Sequence, residues 1–367
     1  MSDINSEKFN STPYSSLKLF AHHNKLNAVM EGRLTAPVYI RIKPINICNH
    51  RCNYCHYGRG RYLSLENFDK NHSIPWEKMK EIIADMAYMG VKAITFSGGG
   101  EPLLYPNIRE SMELLLNNNI DLSIITNGEM MGDNIIKLLK EAKWVRISID
   151  AADDHNYAAI RDLNLGVFKK ICKNIESLAI NKNSNSELGI NFVIGRDNAG
   201  QVYQAGKLFQ ALGANHIRFA PQISWNIADY HKNIRNEVVD SIDRLRRETK
   251  DSTFKVIDLY TPETSEDINI KDMFKRKYLR CAMIHFVTTI GADCKVYMCH
   301  DKAYLTSGII GDLRETSFKD LWSNKRTAEK IDGLNPQEEC QHHCTYDDRN
   351  IVANNFLSIN QEHINFI

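Results

Sequence analysis

The sequence predicts an α/β protein: a partial (β/α)6 barrel with a small C-terminal cysteine-rich domain. Three observations predict it. Short β-rich runs alternate with helical patterns from residue 37 to about 222, as in a parallel sheet with right-handed crossovers. Cys48, Cys52 and Cys55 crowd the loop after the first run, at the end of a strand where such folds place their sites. Five further cysteines gather in the last third of a chain of 367 residues, long enough for one large domain and one small one.

The elements follow in order. Met1 to Thr12 reads as disordered, and Leu17 to Met30 as a helix on the outside of the main domain. Val38, Ile40 and Ile42 alternate between Pro37 and Pro44, which marks the first strand. Pro75 to Tyr88 is a predicted helix with Trp76, Met79, Ile82, Ile83 and Met86 on one face. Strands are predicted at Val91 to Phe96, Asp121 to Thr126, Trp144 to Ile149, Leu188 to Ile194 and His216 to Ala220. Helices are predicted between them at Asn107 to Asn118, Asp133 to Glu141 with Asp133 as cap, Phe168 to Ala179 and Gln201 to Leu212. The expected divisions are an N-terminal extension (1–36), the barrel (37–235), a connecting segment (236–280), the cysteine-rich domain (281–350) and a tail (351–367).

Apolar content of 43% and charged content of 25% suit a folded soluble protein. A net charge of +1, with both signs mixed along the chain, argues against bulk binding to nucleic acid or membranes. No apolar run approaches the ~20 residues of a membrane span, and the N-terminus lacks the apolar core of a signal peptide. The nine cysteines are therefore expected in the reducing cytoplasm, where metal roles outrank disulfides.

The octet Cys48-Asn49-His50-Arg51-Cys52-Asn53-Tyr54-Cys55 lets one loop wrap three thiolates around one centre. Three ligands leave a four-iron cluster or a tetrahedral zinc one short, so a position is open or filled from elsewhere. The octet resembles the CxxxCxxC signature of radical S-adenosylmethionine (SAM) enzymes, with Tyr54 as the aromatic before the last cysteine. The resemblance implies a four-iron four-sulfur cluster on Cys48, Cys52 and Cys55. In that family SAM chelates the fourth iron and is cleaved to a 5′-deoxyadenosyl radical.

The second strand ends in a glycine triplet, where backbone groups are open to a ligand. Gly99, Gly100, Glu101 and Pro102 are similar to the family's GGEP element, which holds the SAM amino group. Ser148 and Asp150 share one face of the fourth strand and point into the barrel; they resemble the family's ribose and carboxylate motif. Arg161 stands where relatives carry an arginine that meets the SAM carboxylate, and Asn191 to Gly195 resembles an adenine-contacting strand, with Asn198 near it.

In the C-terminal third, Gly291 to Cys299 reads as a hairpin, followed by a helix from Ser317 to Trp322. This part resembles the SPASM/Twitch extension, which implies one auxiliary 4Fe-4S cluster on Cys281, Cys299, Cys340 and Cys344, with a structural zinc as the alternative. Cys294 replaces a glycine of the usual pattern and is left as a spare, a substitute ligand or a catalytic thiol. His300, His342 and His343 stand near as further donors.

A scaffold that uses its cysteines only for folding has no need of a glycine loop and an aspartate aimed at one pocket, so an enzyme is expected. Many peptide-modifying members of the family it resembles carry an N-terminal recognition domain, and the 36 residues before the first strand are too few to fold one. The expected substrate is a small polar molecule: a sugar, an aminocyclitol or a nucleotide-linked sugar. Alcohol dehydrogenation is the leading expectation, with epimerisation using Cys294, dehydration, or peptide or sulfatase maturation as alternatives. An external electron donor such as flavodoxin or ferredoxin is implied. Arg59, Arg61 and Lys70 stand after the cysteine loop, where an anionic group would meet them.

Overall fold

A computed structural model of the protein describes residues 14–58, 65–224, 226–265, 274–363 and 365. Met1 to Thr12, Arg59 and Arg61 lie outside the described residues, and Lys70 is exposed. Among the described residues ten strands form one open sheet: β1 (Tyr39–Ile42), β2 (Ala93–Phe96), β3 (Asp121–Thr126), β4 (Trp144–Ser148), β5 (Glu187–Ile194), β6 (His216–Pro221), β7 (Lys255–Asp258), β8 (Val287–Ile290), β9 (Lys295–Tyr297) and β10 (Ile309–Asp312). Their order is β10-β9-β8-β1-β2-β3-β4-β5-β6-β7. All neighbours from β8 to β7 are parallel, and β9 and β10 are antiparallel additions.

The alternation along each strand decides the two faces. Ile40, Ile42, Ile94, Phe96, Val145, Ile147, Ile217 and Phe219 are buried in one core beneath the helices. Their neighbours Arg41, Thr95, Arg146, Ser148 and Arg218 therefore line the opposite, inner face. The covering helices are α2 (Trp76–Met89), α3 (Ile108–Asn117), α4 (Asp133–Leu139), α5 (Asp154–Arg161), α6 (Val167–Asn181) and α7 (Val202–Ala211), after an outer helix α1 (His23–Met30). Met79, Ile82, Ile83 and Met86 of α2 are the predicted face and are buried; each such side chain contributes about 1.5–3 kcal/mol.

The structure differs from the sequence reading in several places, among them unpredicted helices at Arg235–Thr249 and Asp347–Leu357. Gly132, not Asp133, occupies the cap position of α4, and Asp133 is its first residue. Helix α5 was not predicted, and β7 continues the parallel sheet past β6 inside the 236–280 segment. The C-terminal hairpin joins this sheet: β8 pairs with β1 in the register Tyr39↔Val287 to Ile42↔Ile290. The helix at Phe318–Ser323 does form, with Ser317 as its cap, and the Lys319 amide donates to Asp85 of α2 at 3.0 Å.

Candidate functional site

The cysteine loop leaves the C-terminal end of β1 and is fixed from three sides. On the first, the glycine loop after β2 packs against its approach. The Gly100 and Glu101 amides donate to Ile45 and Ile47 carbonyls at 3.1 and 2.9 Å. A Cβ on Gly99 would stand 1.9 Å from Asn46 Oδ1, and one on Gly100 would stand 2.0 Å from the Ile47 carbonyl. The triplet therefore makes room for the chain that carries Cys48.

Glu101 is buried and does not point to an open space. It accepts from the Thr126 hydroxyl (2.6 Å) and the Leu103 (3.1 Å) and Asn127 (2.8 Å) amides. Burial raises its pKa, and these donors restrain the rise. Pro102 opens the short turn that Glu101 caps.

The second side is the loop after β3. Asn127 donates to Asn49 Oδ1 at 2.8 Å, and Asn49 donates to Glu129 at 2.6 Å. His50 pairs with the same Glu129 at 2.9 Å, and its pKa falls to about 4 through burial first and Arg161 next.

The third side is α5. Arg51 and Asn53 amides donate to the carbonyls of Arg161 and Ile160 at 3.0 and 3.1 Å. Tyr54 and Arg161 both donate to one oxygen of Asp150, and the Val193 amide donates to the other at 2.8 Å. Arg161 also donates to the Ser148 carbonyl at 3.0 Å, while its Nε has no partner among the described residues. Asn198 clamps the same junction, donating to the Asp150 and Val193 carbonyls at 2.8 Å each. Tyr54, Ser148, Asp150 and Arg161 are thus brought together, with the carboxylate already partnered by the protein itself.

The three loop sulfurs suit an iron–sulfur cluster. The His50 amide donates to Cys48 Sγ at 3.4 Å, and Cys55 receives the Tyr57 and Gly58 amides. Burial pushes the Cys48 thiol up to about 12, with Glu101, Cys52 and Cys55 adding to the effect. Uncompensated thiolates here are costly, and a bound cation centre removes that cost.

Cys281, Cys299, Cys340 and Cys344 line a single cavity, with Met283, Ile284, Val287 and Met298 as its apolar wall. Each thiol is pushed up by burial. Backbone amides point at Cys281, Cys299 and Cys344; such hydrogen bonds tune cluster potentials. This donor set fits an auxiliary cluster. Of the three histidines, His342 shares the cavity, His343 pairs with Glu263 at 3.8 Å, and His300 turns to Lys43.

Cys294 stands apart from both sets. It sits in the β8–β9 turn at φ 61°, 3% exposed and packed in the main core. Burial pushes its thiol up to about 11, among Arg314, Asp293 and Asp312.

Sequence reasoning missed Lys43. It is fully buried at the end of β1 and donates to Tyr57 Oη (2.9 Å) and the Gly98 carbonyl (2.8 Å), and meets His300 Nδ1 at 3.2 Å. Tyr57 follows Cys55 and His300 follows Cys299, so one ammonium stem links the two cysteine sets. Burial, then Arg41, holds its pKa well below that of an ordinary lysine. The available signal was its period-two spacing from Arg41.

Comparison with known proteins agrees with this geometry. The Radical SAM superfamily model matches residues 42–201, and the SPASM iron-sulfur cluster-binding domain matches 281–345. A GTP 3′,8-cyclase of Aquifex aeolicus is 24% identical over 80% of this chain and 92% of its own length. An S-adenosylmethionine-dependent nucleotide dehydratase of Lacinutrix mariniflava is 29% identical over 38% of this chain and 28% of its own. Among solved structures, SuiB of Streptococcus suis bound to the precursor peptide SuiA aligns with a TM-score of 0.61 at 16% identity, covering 91% of this chain and 75% of that one. That likeness is one of fold. The two family models together match well over half of the chain, and with the open parallel sheet and the two cysteine sets they lead to one conclusion: the chain belongs to the radical SAM superfamily and carries a C-terminal SPASM domain.

Proposed function

We propose that this enzyme removes hydrogen from a small polar substrate, a sugar, aminocyclitol or nucleotide-linked sugar, and that the reaction is dehydrogenation of an alcohol. In this reading Cys48, Cys52 and Cys55 hold the SAM-binding cluster, and Cys281, Cys299, Cys340 and Cys344 the auxiliary one. When bound, the first supplies the electron that cleaves SAM to a 5′-deoxyadenosyl radical and the second a one-electron store. Gly99, Gly100, Ser148, Asp150 and Arg161 shape the SAM pocket. Asp150 and Arg161 orient Tyr54, and hence the loop, rather than standing free for ligand alone.

The observation that carries the reading is the inner face of the sheet. Between the two cysteine sets it presents Arg41, Lys43, Arg146, Ser148, Asn191 and Arg218. Lys43 and Asn191 are already partnered by the protein, but an apolar substrate would bury the remaining donors of Arg41, Arg146 and Arg218 unpaired, at a cost of about 1–3 kcal/mol each. The names of the relatives, a GTP cyclase and a nucleotide dehydratase, support the nucleotide-linked end of the range. The core position of Cys294 favours dehydrogenation over an epimerisation that needs this thiol beside the substrate. No helix among the described residues is long and apolar enough to cross a membrane; a cytoplasmic setting and a flavodoxin or ferredoxin donor complete the proposal.

The test is turnover of the anaerobically reconstituted enzyme with SAM, a strong reductant and substrates deuterated at the carbinol carbon. Expected are deuterium in 5′-deoxyadenosine and a ketone lighter than the substrate by two hydrogen atoms. Solvent deuterium at carbon with no ketone would refute dehydrogenation, and turnover of peptides alone would refute the substrate class.

A further inference from the structure

We propose that Arg41, Arg146 and Arg218 form an anion site on the inner face of the sheet, and that it takes a phosphate or polyphosphate group of the substrate. The inference rests on the reading of this interior as the substrate space and adds the chemical class of what enters it.

The strand order and the alternation along each strand place the three residues on one face of the sheet. Arg41 lies on β1, Arg146 on β4 and Arg218 on β6, all at inner-face positions and each with part of its surface accessible. None is paired with a carboxylate among the described residues. Arg41 Nε donates to Tyr39 Oη at 3.1 Å, and Arg218 donates to Asn191 Oδ1 at 2.5 Å. Buried Nε of Arg146 has no hydrogen-bond partner among the described residues. Like charges so placed repel strongly in a low-dielectric interior, and buried charges are ordinarily paired. The crowding registers on Arg218, whose pKa falls to about 10 through burial first and Arg146 next. Carboxylates do stand nearby: Glu263 acts on Arg218, and Asp301 acts on Arg41. Two carboxylates against three arginines still leave the group cationic.

Arginine is the side chain suited to phosphate oxygens, because its planar fork matches them two at a time and its charge persists at any working pH. A lone carboxylate has two oxygens and one charge, too few for three forks. Placed between the cysteine sets, an anchored phosphate holds the rest of the substrate on the inner face without consuming the groups around Cys55.

The test is calorimetric titration of the reconstituted, SAM-bound enzyme with inorganic pyrophosphate, with acetate as control, beside Arg146→Met and Arg218→Met. Pyrophosphate is expected to bind in preference to acetate, with each substitution weakening it about 10- to 100-fold. Phenylglyoxal labelling of the wild-type enzyme keeps the test sound where a variant does not fold: pyrophosphate is expected to protect Arg146 and Arg218. Equal labelling with and without pyrophosphate overturns the proposal. So do substitutions that leave pyrophosphate affinity unchanged while altering iron content, because the arginines then balance cluster charge instead. Release of 5′-deoxyadenosine is read in parallel samples of the same enzyme reduced with dithionite. SAM cleavage without pyrophosphate binding sinks the anion site alone; pyrophosphate binding lost in the variants, in an enzyme that cleaves no SAM, supports the site and sinks the radical reading.

Discussion

Asp150 draws Tyr54 of the cysteine loop, Arg161 of α5 and the Val193 amide of β5 onto one buried carboxylate. Removing its charge leaves Arg161 buried beside a neutral group. Asp150→Asn is expected to destabilise the protein by about 3–5 kcal/mol, the range for breaking a buried pair, and to lower iron retention at the loop; denaturant unfolding and iron analysis check both. A second residue gives the fold a pH dependence. His285 is buried, and its pKa falls from 6.5 to about 4 through burial first and then Lys25. The folded pKa is below the unfolded one, so the unfolded chain takes up the proton first. Stability is then full above about pH 6.5 and declines as pH falls toward about 4. His285→Gln is expected to flatten that decline in urea titrations at stepped pH, and an unchanged slope would show that His285 does not supply it.

At the scale of elements, the repeating pattern of the sheet was legible because each strand from β1 to β6 alternates or runs apolar under an amphipathic helix. β7 was not legible: Lys255-Val256-Ile257-Asp258 is four residues with a charge at each end. Nor was α5, whose Asp154-His155-Asn156 start carries no apolar face; it is set by the Asp153 cap, which accepts the Asn156 amide at 2.8 Å. In the site, the cysteine spacing and the positions of Asp150 and Arg161 could be read from the sequence. Which groups satisfy them could not, because Asn127 and Glu129 reach the loop only through strand order. The glycine loop illustrates this. Its backbone meets Asn46 and Ile47, so Gly100→Ala forces the cysteine loop to shift. That variant is expected to lose the iron of the loop cluster and keep that of the auxiliary set, as iron counting with electron paramagnetic resonance will read.

For the whole molecule, the C-terminal part is built into the barrel sheet. β8 covers the edge of β1, and His300 reaches Lys43 across that seam. Deleting everything after residue 280 uncovers that edge, and an open, apolar edge strand invites aggregation. The truncated chain is expected to aggregate, which light scattering will detect, where a monodisperse truncated chain would contradict the seam's importance. One sheet carrying two cysteine sets also makes their roles separable. The most direct test of that central claim is 5′-deoxyadenosine release under reduction by the triple variant Cys48→Ala, Cys52→Ala, Cys55→Ala. It is predicted to lose all SAM cleavage and about four iron atoms per chain, with the auxiliary set retained; SAM cleavage that persists would contradict the account.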